Sequence, residues 1–216
     1  MTSDLFADES RAPDVVALEE GALVLRGFAS REAVALLAAV RGIVTTAPLR
    51  HLVTPGGKTM SVAMTNCGEV GWVSDRRGYR YEPNDPQSGN PWPAMPPLFL
   101  DLARRAAAAA GFAGFDPDAC LINEYQPGAR LTLHQDRDER DFGAPIVSVS
   151  LGLPAVFLWG GSARAGRTRR VPLEHGDVVV WGGPARLIYH GVMPLAEGEH
   201  PLTGGCRYNL TFRRAL

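Results

Sequence analysis

The stretch Leu131-Thr-Leu-His-Gln-Asp136 sets a histidine and a carboxylate two residues apart. In a strand, residues i and i+2 point to one face, so His134 and Asp136 can reach one metal ion. A third ligand would come from another strand, and His190 closes the candidate strand 186–190. Two histidines and one carboxylate form the facial triad of non-haem Fe(II) oxygenases, which leaves open positions for a co-substrate and O2. Alone, a His-x-Asp pair is weak evidence, because most surface histidines are simply solvated. His175-Gly176-Asp177 repeats the spacing, but its central glycine and flanking strands read as a tight turn. His51 and His200 have no partner pattern and read as surface residues.

The C-terminal segment Cys206-Arg-Tyr-Asn-Leu-Thr-Phe-Arg213 adds independent weight. On a strand, Arg207, Asn209, Thr211 and Arg213 share one face, and Tyr208, Leu210 and Phe212 share the other. The second face is ordinary core. The first reads either as an edge strand with its polar side in water or as an inward face. Buried arginine is costly unless paired. An anionic ligand with two carboxylates would supply the partners through bidentate contacts. Beside the His/Asp/His set, the ligand is the better reading.

These side chains need strands to hold them. From residue 119 the pattern is strand after strand: 120–125, 131–135, 146–151, 156–159, 170–173, 178–181, 186–190 and 206–213. Turn residues separate them, among them Pro127-Gly128, Gly160-Gly161 and Gly182-Gly183-Pro184. About eight short strands without intervening helices predict a mainly β fold, a double-sheet jelly roll. Upstream, 1–20 reads as a loose lead-in and 21–28 as a first strand. Ser30 is placed to cap a helix over 31–42, with Ala33, Leu36, Leu37 and Val40 as its apolar stripe. Pro97 opens a second helix that Gly111 ends. The long aromatic-rich connection 46–96 reads as short strands forming a flap. The chain thus reads as one domain, 1–216, with a flap at 46–96 and a β core at 119–214.

Composition narrows the function classes. With 22 Lys+Arg against 23 Asp+Glu the net charge is −1, which excludes a general polyanion-coating protein. The basic side is almost all arginine, Lys58 being the lone lysine, which fits codon usage in a GC-rich genome. Cys67, Cys120 and Cys206 are far apart and odd in number, which fits reduced thiols in a cytoplasm. No apolar run approaches the ~20 residues of a membrane span. The acidic start (Asp4, Asp8, Glu9, with Asp14 following) does not read as a signal peptide.

Several segments resemble the bacterial AlkB family of alkylated-DNA repair dioxygenases. They are Thr54 to Gly68, Pro91-Trp-Pro-Ala-Met-Pro96, Leu131 to Asp138, Ala144 to Pro154, Leu173 to Gly183 and Arg207 to Arg213. The resemblance implies a double-stranded β-helix (jelly roll) with an N-terminal nucleotide-recognition flap. It implies Fe(II), 2-oxoglutarate as co-substrate, and O2. His134, Asp136 and His190 match the iron ligands. Arg207 matches the clamp on the distal carboxylate of 2-oxoglutarate. Arg213 and Asn209 match contacts near its metal-binding end, and Asn123 and Tyr125 match further co-substrate contacts. The implied reaction is oxidative dealkylation: the N-methyl group leaves as formaldehyde, and 2-oxoglutarate and O2 become succinate and CO2.

The resemblance also implies a substrate site for a flipped or single-stranded base. Trp72 matches the stacking residue facing His134 across the base, and Tyr79 a flap residue near the substrate backbone. Asp138 resembles a buried carboxylate facing the exocyclic amine, which would favour cationic 1-methyladenine and 3-methylcytosine. Met64 and Ser148 match pocket-lining positions. Without the resemblance, Trp72 reads as core and Asp138 as part of a solvated charge run. The Arg164, Arg167, Arg169, Arg170 run reads equally as a DNA-backbone contact or a solvated hairpin tip. Glu124 stands where the family pattern has a basic residue. The expected partners are alkylated single-stranded DNA, with RNA left open, and no membrane or obligate protein partner. Two alternatives stand: the same chemistry on an RNA or protein substrate, or a catalytically inactive nucleic-acid-binding homologue.

Overall fold

From residue 119 onward burial alternates along the strand 155–159, whereas the all-apolar strand 178–181 is buried throughout. The computed structural model describes residues 14–216, so the start at Asp4, Asp8 and Glu9 lies outside the described residues. In chain order, β1 (Val15–Glu19) and β2 (Ala22–Leu25) precede α1 (Ala33–Thr46). Then come β3 (Arg50–Val53), β4 (Thr59–Gly68), β5 (Gly71–Asp75), β6 (Gly78–Glu82) and α2 (Pro97–Ala109). Next are β7 (Ala119–Tyr125), β8 (Leu131–His134), β9 (Ile146–Gly152) and β10 (Ala155–Trp159). The last four are β11 (Arg169–Leu173), β12 (Val178–Trp181), β13 (His190–Val192) and β14 (Arg207–Arg213).

An eight-stranded sheet runs β1-β2-β12-β9-β14-β7-β4-β3, and a four-stranded sheet runs β11-β10-β13-β8. The helices pack on one face of the large sheet: Leu36, Leu37, Phe99 and Leu102 meet Cys120, Ile122, Val147, Val149, Leu210 and Phe212. Burying each Leu or Phe fully contributes about 1.5–3 kcal/mol. The other face meets the small sheet through Ile146, Tyr125, Phe157, Trp159 and Trp181. The central strand β9 is therefore buried on both sides, and its two serines, Ser148 and Ser150, point where a jelly roll leaves room for a ligand.

Four local expectations are corrected. The lead-in contains β1, an edge strand whose inner residues Val16 and Leu18 pack under the small sheet and whose Glu19 accepts from the Trp159 indole at 2.8 Å. The strand expected over 21–28 shortens to β2, because Gly21 and Gly27 adopt positive φ of 78° and 61° at its ends. Ser30 caps nothing; it starts a 3-10 turn, and α1 runs through the exposed Gly42 because Ile43 continues the buried stripe. Finally, 186–190 is not a strand. A 3-10 turn at Gly183–Ala185 precedes a bend that lets the Arg186 guanidinium donate to the Ala144 and Asp136 carbonyls, so His190 opens β13 instead. Within 46–96, β3 and β4 extend the large sheet, and only β5–β6 forms a separate hairpin.

Where β13 crosses β8 the backbones are too close for a side chain. A Cβ on Gly191 would lie 2.7 Å from the Leu131 carbonyl oxygen. Gly191→Ala is expected to destabilise by about 1–3 kcal/mol and to weaken metal binding, because it pushes His190 off His134. Urea unfolding with a parallel metal titration checks this, and an unchanged midpoint contradicts it.

Candidate active site

Register brings the two histidines together: His190 on β13 pairs with His134 on β8, and their rings lie 4.5 Å apart between centroids. Asp136 follows just beyond the end of β8. Its Oδ1 lies 3.7 Å from His134 Nε2 and its Oδ2 3.8 Å from His190 Nε2. One ligand atom from each of the three falls within 4.8 Å of the others. Each histidine points Nδ1 at a carbonyl, His134 at Thr132 (2.8 Å) and His190 at Ile188 (2.9 Å). A carbonyl only accepts, so Nδ1 carries the proton and the Nε2 lone pair faces the carboxylate. Neutral imidazoles and an ionised carboxylate are what a divalent metal requires. Burial raises the Asp136 pKa, but the Arg213 guanidinium beside it outweighs burial and holds the carboxyl well below its usual range.

His190 is kept neutral. Burial, with His134 beside it, lowers its pKa from 6.5 to about 4, against the opposing pull of Asp136. Between those values the unfolded chain binds a proton that the folded chain does not. Stability of the metal-free protein is therefore expected to rise with pH across that window, by about 3 kcal/mol from this group. Urea midpoints followed through the window check the slope, and a profile that falls or stays flat contradicts it.

The three residues open into a cavity of about 660 Å³ between the sheets, lined also by Asn123, Tyr125, Arg207 and Arg213. Arg207 is buried; its Nη2 donates to Ser150 Oγ at 2.9 Å and its guanidinium lies 4.9 Å from the Tyr125 ring centroid. Among the described residues its Nε and Nη1 have no hydrogen-bond partner, nor has Asn123 Oδ1. Unmet buried donors on a cation fit an anionic ligand such as a carboxylate. Asn209 is spent internally: it donates to Ser148 and the Val149 carbonyl and accepts from Asn123 and Thr211. Arg213 grips Asp136 Oδ2 through Nη2 (2.8 Å) and Nε (3.1 Å).

The cavity mouth is walled by β5–β6. Trp72 and Tyr79 stack with centroids 5.5 Å apart and planes 14° apart. Trp72 Nε1 donates to Asp138 Oδ2 at 2.8 Å. Asp138 is exposed, not buried as the sequence reading has it, because β8 ends at His134 and the chain beyond is irregular. Met64, Ser148, Lys58 and Arg164 line the same cavity, whereas Arg169 is spent on the Ala17 carbonyl. The His175–Asp177 segment is a turn: Asp177 accepts from the backbone of Gly27 and Glu174 and pairs with Arg26. His200, read as a surface residue, stacks on His175 at 4.4 Å. Sequence reasoning missed Glu139 and Arg186, which pair in the interior at 3.0 Å.

This fold and metal trio define a class of enzyme. Residues 21–213 match the 2OG-Fe(II) oxygenase superfamily, and the chain belongs to it. It is an Fe(II)- and 2-oxoglutarate-dependent dioxygenase. Over 212 residues it is 59% identical to the alpha-ketoglutarate-dependent dioxygenase AlkB of Escherichia coli (strain K12), covering 98% of this chain and 97% of that protein. It is 33% identical over 110 residues to the nucleic acid dioxygenase ALKBH1 of Mus musculus, covering 50% of this chain and 28% of that protein. The solved structure of OsALKBH1 superposes with a TM-score of 0.81 at 28% identity, covering 93% of this chain and all of that one. No described helix is long and apolar enough to cross a membrane.

Proposed function

We propose that this dioxygenase dealkylates N-alkylated bases of the 1-methyladenine and 3-methylcytosine type in single-stranded DNA. The observation that carries the reading is the stacked Trp72–Tyr79 wall, with Asp138 at its edge, lining the same cavity as His134, Asp136 and His190. A base entering that cavity leaves its own stack and needs an aromatic face to replace it. Trp72 supplies that face. Asp138, freed from the indole, supplies a negative charge for a cationic methylated base. Lys58 and Arg164 at the mouth meet phosphate.

His134, Asp136 and His190 would hold the iron. Arg207, with Tyr125 and Asn123, would hold 2-oxoglutarate at the end remote from the metal. With iron and 2-oxoglutarate held there, the site would supply oxidation of the N-methyl carbon by O2, so that the carbon would leave as formaldehyde with succinate and CO2 as the other products. The protein positions the methyl group and walls the site from water. Buried reduced Cys67, Cys120 and Cys206 fit work in the cytoplasm.

The test is a single-stranded oligonucleotide carrying one 3-methylcytosine, incubated with Fe(II), 2-oxoglutarate and ascorbate in air. Wild type is expected to remove one methyl mass, and His134→Ala none. An intact oligonucleotide with slow succinate release would keep the oxygenase and discard the substrate. An RNA oligonucleotide dealkylated faster would move the substrate class to RNA.

A further inference from the structure

Glu139 sits three residues past Asp136, within a run of charges, and yet is buried. Its carboxylate gathers three donors. Tyr81 donates its hydroxyl to Oε1 at 2.6 Å, Arg186 Nη2 reaches Oε2 at 3.0 Å, and Arg213 Nε lies 3.3 Å from Oε1. Both arginines go on to Asp136. Arg213 holds its side chain, and Arg186 Nη1 holds its backbone carbonyl at 2.7 Å. Two buried carboxylates and two buried guanidinium groups thus balance, as charges removed from water must.

The other end of this network is the substrate wall. Tyr81 on β6 is the register partner of Trp72 on β5. Trp72 is itself bonded to Asp138. The segment just after the metal ligand therefore clamps both strands of the hairpin, one through Trp72 and one through Tyr81. We infer that Glu139 is a positioning residue that ties the β5–β6 hairpin to the metal ligand Asp136, so that metal binding and nucleic-acid binding reinforce each other. The second half rests on the proposed function, and linkage makes the effect reciprocal.

The test uses Mn(II), a hard divalent ion that resists oxidation in air, with a 3-methylcytosine oligonucleotide and no 2-oxoglutarate. The first arm measures Mn(II) affinity of wild type and Tyr81→Phe by electron paramagnetic resonance, without nucleic acid. Tyr81→Phe keeps the ring and loses only the bond to Glu139. Its affinity is expected to fall threefold or more. Arg80→Gln, which breaks ion pairs confined to the hairpin, is the control and is expected to leave affinity unchanged. Glu139→Gln, one contact further out than the arginines that touch Asp136, should lose between threefold and about tenfold, the lower edge of the about 10–100-fold cost of removing a direct partner of a metal ligand. If it fails to fold, Tyr81→Phe decides alone. The second arm measures oligonucleotide affinity with and without Mn(II). The gain given by Mn(II) is expected to shrink at least threefold in Tyr81→Phe. Equal Mn(II) affinity in wild type and Tyr81→Phe overturns the link, and so does an equal loss in Arg80→Gln. A wild type that binds no oligonucleotide in either condition overturns the proposed substrate instead, while the first arm still decides the tie to the metal.

Discussion

Asp136→Asn loses metal binding and 2-oxoglutarate turnover together. The carboxylate is the only anionic member of the trio, and an amide oxygen offers the metal neither its charge nor its basicity. Loss of an outer partner costs about 10–100-fold in metal affinity, and loss of the ligand itself is expected to exceed that range. The fold should survive. Arg213 keeps Glu139 at 3.3 Å, so the destabilisation stays below the about 3–5 kcal/mol of a buried charge left wholly alone. Mn(II) titration and succinate release on the same preparation check both halves. Wild-type metal affinity in the Asp136→Asn variant would remove Asp136 from the ligand set. His190→Ala should match it in lost affinity and add a stability cost, since His190 is buried against Phe157 and Trp181.

Why that site is readable from the chain while parts of its frame are not is a matter of range. His134 and Asp136 are neighbours on one segment, so local spacing brings them together whatever the rest of the fold does. The alternation in 207–213 likewise fixes which residues share a face, and β14 buries Arg207, Asn209, Thr211 and Arg213 on the cavity side as expected. His190 is legible although the strand expected around it is misplaced. The bend before it is set by where Arg186 must reach, and nothing adjacent to Arg186 announces that. The same holds for Glu139. A glutamate inside Asp-Arg-Asp-Glu-Arg reads as solvated, and only partners distant in the chain, Arg186, Tyr81 and Arg213, make its burial tolerable. The joining of β3 and β4 to the large sheet is also a long-range pairing. An edge strand such as β1, half exposed and short, gives too weak an alternation to be told from a tail.

Arg207→Met is expected to make the metal-free protein more stable and the enzyme nearly inactive. The guanidinium is buried with two nitrogens unmet, and burial lowers its pKa despite the opposing help of Tyr125. A cation held this way costs folding energy that its ligand repays only when bound. Methionine has similar volume, no charge, and a sulfur that packs well on the Tyr125 ring. Replacing buried ionic groups by apolar ones of like volume gains about 1–4 kcal/mol in favourable cases, which in a chain of this length moves Tm by roughly 2–4 °C per kcal/mol. Binding moves the other way. Removing one partner of a buried charge pair costs about 2–5 kcal/mol, or at least about thirtyfold in Kd for 2-oxoglutarate. Metal binding should be untouched, since Arg207 is bonded to Ser150 and stacked on Tyr125, not paired with Asp136. Melting curves with and without 2-oxoglutarate separate these effects in one experiment. Wild type should gain Tm on adding the co-substrate, as any ligand of the folded state requires, and Arg207→Met should start higher and gain nothing. If the variant still shifts with 2-oxoglutarate as wild type does, the unmet nitrogens serve some other anion, and the co-substrate is held elsewhere in the cavity.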